Sequence, residues 1–238
     1  MISGFKKFVQ YRNSLFEFNW HHELQCELID KWINNDIKHL MILAPPRSSK
    51  TELVSRMLPT YLDDMLSENK KVLHLTYSSS MSDELRRSYY KNCNYKLNNA
   101  NNSIVRFSSV GYSLSSRFDY ILMDDIGKPF DKNEKLLNWY NSDVLTRLGF
   151  EGKQLMIATH YTGDLPSKII ATNNPDWTVV KFPFVADKSS IYREFGKVLW
   201  DRMLPIGLTA KDIENKVGKL YYTTLYQQED PKPCIEIY

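Results

Sequence analysis

Leu40-Met41-Ile42-Leu43-Ala44-Pro45-Pro46-Arg47-Ser48-Ser49-Lys50-Thr51-Glu52-Leu53 is the stretch on which the fold turns. Its apolar start reads as a buried strand, its two prolines as a turn, and the residues from Lys50 onward as the opening of a helix. Strand, loop and helix in that order, with Lys-Thr at the helix start, is the layout of a phosphate-binding loop. In such a loop the backbone amides and the helix N-terminus face phosphate oxygens, the lysine reaches the β- and γ-phosphates, and the hydroxyl ligates Mg2+. The pattern G-x-x-x-x-G-K-[ST] is incomplete, because Ala44 and Ser49 stand where it has glycine. A proline-rich turn before a surface helix would leave much the same letters, so the rest of the chain must decide.

The 238 residues suit one large domain, or one domain with a small subdomain. Hydrophobic content of 42% with 25% charged residues is ordinary for a soluble globular chain, and the fifteen Tyr, eleven Phe and five Trp supply a sizeable core. A net charge of +3 neither requires nor excludes a nucleic-acid partner, since a local basic face can sit within a near-neutral total. Cys26, Cys93 and Cys234 are odd in number and widely spaced, which offers neither a disulfide framework nor a metal pattern and suits a reducing compartment. No apolar run approaches the ~18 residues of a membrane span, and Met1–Gln10 lacks the apolar core of a signal peptide.

Upstream of the loop, residues 1–20 form an aromatic arm (Phe5, Phe8, Tyr11, Phe16, Phe18), followed by a helix over His21–Asn34. Trp20 and Gln25 sit where an aromatic and a glutamine hold adenine in many P-loop ATPases; a core tryptophan and a helix-surface glutamine would look the same. Downstream, Thr51–Ser67 has a helical apolar stripe that Pro59 should kink or shorten. Lys71–Tyr77 reads as a strand, and Ser80-Met81-Ser82-Asp83 has capping-box spacing for a helix carrying Arg86, Arg87 and Lys91. The asparagine-rich segment 93–103 reads as a loop, 104–107 as a short strand and 111–116 as a Ser/Gly loop. Residues 131–148 read as a helix, Gly149–Gly152 as a turn, 154–160 and 178–182 as strands. Thr209-Ala210-Lys211-Asp212 repeats the capping-box spacing and opens a helix or helix pair over 210–228.

Tyr120-Ile121-Leu122-Met123-Asp124-Asp125 lies about 75 residues after Lys50. An apolar run ending in two carboxylates is what a central parallel strand looks like when it delivers acids to a site at its C-terminal end. Asp124 can hold Mg2+ through water, and Asp125 can polarise an attacking water; an Asp-Asp pair capping the next turn is the plainer alternative. Strands near 40, 73, 105, 121, 156 and 180, separated by helical stretches, give an α/β fold with a largely parallel sheet. Ligands in such sheets bind beyond the strand C-termini, which gathers Lys50-Thr51, Thr76-Tyr77, Asp124-Asp125 and Thr159-His160 around one crevice.

Read in order, these motifs resemble the ATPase half of the large terminase subunit of tailed phages. The stretch Ala44–Leu53 resembles its P-loop, with an arginine inside the loop. Thr76-Tyr77-Ser78 and the basic helix after it resemble its second strand and helix, and Gly111–Arg117 with Ile121–Asp125 its glycine loop and acidic strand. Trp139-Tyr140 and Leu145–Leu148 are similar to the following helix, and Ala158-Thr159-His160-Tyr161-Thr162-Gly163-Asp164-Leu165 to its coupling motif. Phe182-Pro183, Leu199-Trp200 and Leu225–Pro231 are similar to its ending. The resemblance implies a P-loop NTPase of the ASCE type, with a core over 21–207 and a small helical lid with linker over 208–238. The nuclease domain in which the family continues is not expected within these residues.

It also implies ATP and Mg2+ as cofactors. The binding set is Pro46, Arg47, Ser48, Ser49, Lys50, Thr51 and Glu52, with Trp20 and Gln25 at the base and Thr51 and Asp124 on the metal. Asp125 would activate water and Thr159 report the γ-phosphate, with His160 and Asp164 supporting that turn. Arg47 is the candidate arginine in cis; Arg117, with Arg147 behind it, is the candidate presented to a neighbouring subunit. The implied partners are double-stranded DNA gripped through its backbone (Arg86, Arg87, Lys91, Lys96), the portal protein, the small terminase subunit and further copies in a ring, with a monomer in isolation. The implied setting is the host cytoplasm, at the procapsid. Two alternatives stand beside this: another P-loop DNA translocase, or an assembly and binding module whose altered loop no longer hydrolyses ATP. Ser49 is the sharpest departure, because a side chain there strains a loop that must bring its amides close to phosphate.

Overall fold

The computed structural model describes residues 3–66, 70–93, 104–112, 115–126, 133–161, 165–172, 174–187, 193–204 and 206–229. Six strands, β1 (His39–Leu43), β2 (Val72–Thr76), β3 (Val105–Ser109), β4 (Phe118–Asp124), β5 (Leu148–Ala158) and β6 (Trp177–Lys181), form one sheet in the order β3-β2-β4-β5-β1-β6. Every ladder is parallel. The strands are apolar on both faces because helices cover both sides, as a parallel sheet requires. Successive side chains alternate: Leu40, Ile42, Leu122, Leu155 and Ile157 face one layer, and Met41, Leu43, Ile121, Met123 and Met156 face the other.

The first layer holds α1 (Gly4–Arg12), α2 (Trp20–Ile33), α3 and α4 (Ser79–Asn92). α3 is continuous, with a π-helical stretch Glu52–Met57 running into an α-helical stretch Leu58–Met65. The second layer holds α5, which runs from Asn133 to Arg147 with a π-helical stretch Tyr140–Val144, and α6 (Leu165–Ala171). α7 (Ala210–Val217) and α8 (Lys219–Tyr221, continued by Tyr222–Tyr226) close the described chain. Among the described residues no helix is long and apolar enough to cross a membrane.

Some expectations hold and others need correction. Within the aromatic arm, residues 3–12 are ordered as a helix and its cap. They form α1, whose Phe5 and Val9 are fully buried in the same cluster as Ile29 and Leu62; Asp30 accepts from Ser3 and from the backbone of Gly4 and Phe5 and fixes the helix start. Pro59 neither ends nor shortens α3. The widened π stretch just before it pairs Leu58 N–H with the Leu53 carbonyl, and Pro59 falls in the first turn of the α-helical part, where a missing N–H is tolerated. The α4 cap is Ser78, whose hydroxyl accepts from Met81 N–H, two residues ahead of the expected Ser80. Gly149–Gly152 is not a turn but the irregular start of β5, where five steps from Leu148 to Lys153 oppose two from Phe118 to Tyr120. A Cβ on Gly152 would lie 2.8 Å from the Gly149 carbonyl oxygen, so glycine permits the bulge. The expected caps of α7 hold: Thr209 and Asp212 bond reciprocally.

Candidate active site

β5 lies between β1 and β4, so the residue after β5 stands between those that follow the other two strands. Thr159 follows β5 and Asp125 follows β4 directly, and Lys50 ends the loop that follows β1. Lys50, almost fully buried, donates from Nζ to Thr159 Oγ1 at 2.9 Å and lies 3.8 Å from Asp125 Oδ2. Thr159 N–H donates to Asp125 Oδ1 at 2.7 Å, and Asp125 N–H donates to the Ile157 carbonyl at 3.0 Å. Asp124 faces α3: Ser55 Oγ donates to its Oδ2 at 2.6 Å, and Thr51 Oγ1 to its Oδ1 at 3.5 Å. Burial, then the charge of Asp125, pushes the Asp124 carboxyl up to about 6, against the opposing pull of Ser55, Lys50 and Thr51. The buried Asp124 carboxylate with two helix hydroxyls against it, and the half-exposed Asp125 beside it, is a donor set that suits a hydrated divalent cation. A cleft of about 320 Å3 opens beside it, lined by Thr51, Asp124, Asp125, Thr76, Ser80 and Glu84 among others.

The loop ahead of Lys50 bends through two left-handed residues, Arg47 (φ 65°) and Ser49 (φ 59°). Ser49 occupies the place where the motif has glycine, and the backbone there is of the kind glycine adopts freely. Arg47 is exposed at the tip, Pro46 is half-buried, and Ser48 Oγ is buried with no partner among the described residues. The loop is braced from behind by α2: His22 Nδ1 accepts from Asn19 N–H, which leaves Nε2 as the donor to the Ser48 carbonyl at 3.2 Å. Glu52 pairs with Arg56, which also reaches Glu84 on α4.

Gln25 is fully buried on α2, not on its surface, and neither of its amide atoms meets a partner among the described residues. Trp20 packs on Phe182 with the Arg193 guanidinium 5.4 Å over its ring. Arg117 is exposed just before β4, and Arg147, half-buried, stands just before β5. Both therefore lie at the end of the sheet opposite the lysine. Seven residues of strand put about 20 Å between the two ends of β4, so neither arginine can serve its own site. Arg86 pairs with Asp83, and Arg87 Nε donates to the Asp83 carbonyl, on the exposed side of α4. Lys96 and Asp164 lie outside the described residues. His160 N–H donates to Gln228 Oε1 at 3.0 Å. Ser55, His22 and Gln228 were not expected as site neighbours. Only Ser55 carried a sequence signal: a hydroxyl four residues after Thr51 shares its helix face.

No family model matches the chain, and no curated protein does. Among solved structures, the large terminase of bacteriophage HK97 superposes with a TM-score of 0.59 at 12% identity, over 95% of this chain and 54% of that one. The ATPase domain of the large terminase of Thermus phage P74-26 superposes with a TM-score of 0.53 at 11% identity, over 94% of this chain and 98% of that one. The chain thus spans about half the length of the HK97 protein and nearly all of the P74-26 domain. A likeness at such low identity concerns architecture, and the fold of this chain is that of the ATPase domain of phage large terminases.

Proposed function

We propose that this chain is a Mg2+-dependent ATPase, the motor part of a phage DNA-packaging terminase. The observation that carries this reading is the junction of Lys50, Thr159 and Asp125 beyond three adjacent parallel strands, with Asp124 and Thr51 beside it. Lys50 and the loop amides from Pro46 to Thr51 bind the phosphates, and Thr51 and Asp124 hold Mg2+, whose charge offsets that of the phosphate oxygens. Asp125 orients a water and takes its proton. Thr159, bonded to both Lys50 and Asp125, senses the phosphate. Trp20 and Gln25 hold the base. Arg47 serves in cis, and Arg117 reaches the site of the next copy in a ring, where an arginine contributes about 10³–10⁵ in rate. DNA is gripped without sequence reading through its backbone by Arg86, Arg87 and Lys91. The portal and small subunit are the further partners, at a procapsid in the host cytoplasm.

The test is ATP turnover with and without double-stranded DNA and portal, for the unaltered chain, Lys50→Ala and Asp125→Ala. Turnover that falls strongly in both variants supports the reading. Turnover absent from the assembled complex, or unchanged by both substitutions, overturns it. One observation favours a second reading, a binding module that does not hydrolyse: Ser49 in a left-handed conformation. Nucleotide binding without turnover in every assembly would select it.

A further inference from the structure

We propose that Ser55 is a positioning residue for the metal-side carboxylate, fixing one oxygen of Asp124 so that the other stays turned toward Thr51 and the cation. This rests on the ATPase reading above. Ser55 is 1% exposed, on the core face of α3 beside Leu53, Val54 and Met57. A buried hydroxyl on a helix has an easy partner in its own backbone, the carbonyl four residues back. The buried Thr224 uses that partner here, bonding the Leu220 carbonyl, as the exposed Thr146 bonds the Ser142 carbonyl. Ser55 instead reaches across to the sheet and donates to Asp124 Oδ2 at 2.6 Å, the short length of a bond to a charged acceptor.

The two hydroxyls of α3 divide the carboxylate between them. Thr51 and Ser55 are four residues apart, on one face of the helix, and meet opposite oxygens of Asp124. The Thr51 contact, at 3.5 Å, is loose, and Thr51 would offer its oxygen to the cation. The Ser55 contact is tight and falls on the other carboxylate oxygen, so Oδ2 would stay tethered while Oδ1 remained available beside Thr51. A carboxylate held by a second group in this way keeps one orientation, and loss of such a support typically weakens metal binding by ~10–100-fold.

The experiment titrates Mg2+ against a fluorescent ATP analogue and repeats the nucleotide titration in EDTA, for the unaltered chain, Ser55→Ala and Ser55→Thr. Melting temperature serves as the check on folding. Ser55→Ala is expected to raise the Mg2+ concentration at half-saturation by roughly tenfold or more, to leave nucleotide affinity in EDTA unchanged, and to be rescued by Ser55→Thr, which restores the hydroxyl. An unchanged Mg2+ midpoint overturns the proposal. An equal loss with and without Mg2+ also overturns it, since that marks a merely structural serine. If the unaltered chain binds no nucleotide under either condition, the ATPase reading itself fails and Ser55 with it. That outcome is distinct from failure of the Ser55→Ala arm alone.

Discussion

Thr159 offers its backbone N–H to Asp125 Oδ1 at 2.7 Å while its side-chain oxygen receives Lys50 at 2.9 Å, so one residue holds both the proposed base and the lysine proposed to bind phosphate. Asp125 itself sits at φ 48°, a left-handed conformation, and this turns its side chain back toward Thr159 and Lys50. Asp125→Asn preserves this shape and removes the basic oxygen. It is expected to lower ATP turnover by ~10²–10⁴-fold, the scale of a lost general base, while nucleotide binding persists. Turnover assays paired with nucleotide titration check this; an Asn variant that turns over like the parent removes Asp125 from the chemistry.

Ser49→Gly tests the departure in the loop. A left-handed backbone costs an L-residue ~1–2 kcal/mol, and the extra unfolded-state freedom of glycine takes back ~0.5–1 kcal/mol. The net expectation is a gain of up to about 1.5 kcal/mol, or a melting temperature higher by up to about 3–6 °C for a chain of this size. With the strain relieved, nucleotide affinity should rise as well. A lower melting temperature would mean that the Ser49 side chain contributes more than its backbone costs.

The alternation of strands and helices, and the crevice at the strand C-termini, were legible because apolar runs such as Tyr120–Met123 end in polar residues that the parallel sheet gathers at one edge, Asp124 and Asp125 among them. The strand order was not legible. That β5 separates β1 from β4, and so puts Thr159 between Lys50 and Asp125, follows from long-range pairing that no local pattern encodes. Gly149–Gly152 misled because glycines mark a bulge and a turn alike, and only the pairing to Phe118 and Tyr120 tells them apart. Gln25 read equally well as surface or site, since one polar residue on an amphipathic helix does not reveal what packs over it.

Acid should destabilise this fold earlier than carboxylate titration alone predicts. Burial holds His21 and His74 down to about 3, and His22 and His39 down to about 4, so all four are neutral in the folded chain at neutral pH. In the unfolded chain they take up protons below about 6.5. The unfolded state then binds more protons, so the contribution is fully present above that pH and is lost as pH falls toward the folded values, by about 1.4 kcal/mol per pH unit for each histidine. His74 is the cleanest probe: it is wholly buried in β2, its ring tilted against Phe107, with neither ring nitrogen bonded among the described residues. Urea unfolding between pH 7 and pH 5 should show His74→Leu losing stability less steeply than the parent, by about one histidine's slope. Parallel curves would show that His74 does not titrate on unfolding.

Gln228 is expected to link the phosphate side of the site to the C-terminal helices. It is fully buried, accepts from His160 N–H next to Thr159, and donates to the Leu225 carbonyl at the end of α8. Gln227 adds a second tie, accepting from Val185 N–H at 2.8 Å and donating to the Val185 carbonyl at 3.1 Å. Of the two, only the Gln228 tie touches the segment that follows β5, so a displacement of Thr159 reaches α8 by that route. Gln228→Ala strands a buried N–H, at a cost of about 1–3 kcal/mol, and cuts the link while leaving Lys50, Asp124 and Asp125 in place. Hydrogen exchange followed by mass spectrometry should show faster exchange across residues 210–226 in this variant, with β1 and β4 as protected as in the parent. Gln228→Glu, which keeps the accepting oxygen, should restore much of the protection. If exchange over 210–226 is the same in the parent and in Gln228→Ala, the α8 end is held by Gln227 and the Phe184–Tyr226 packing, and Gln228 transmits nothing.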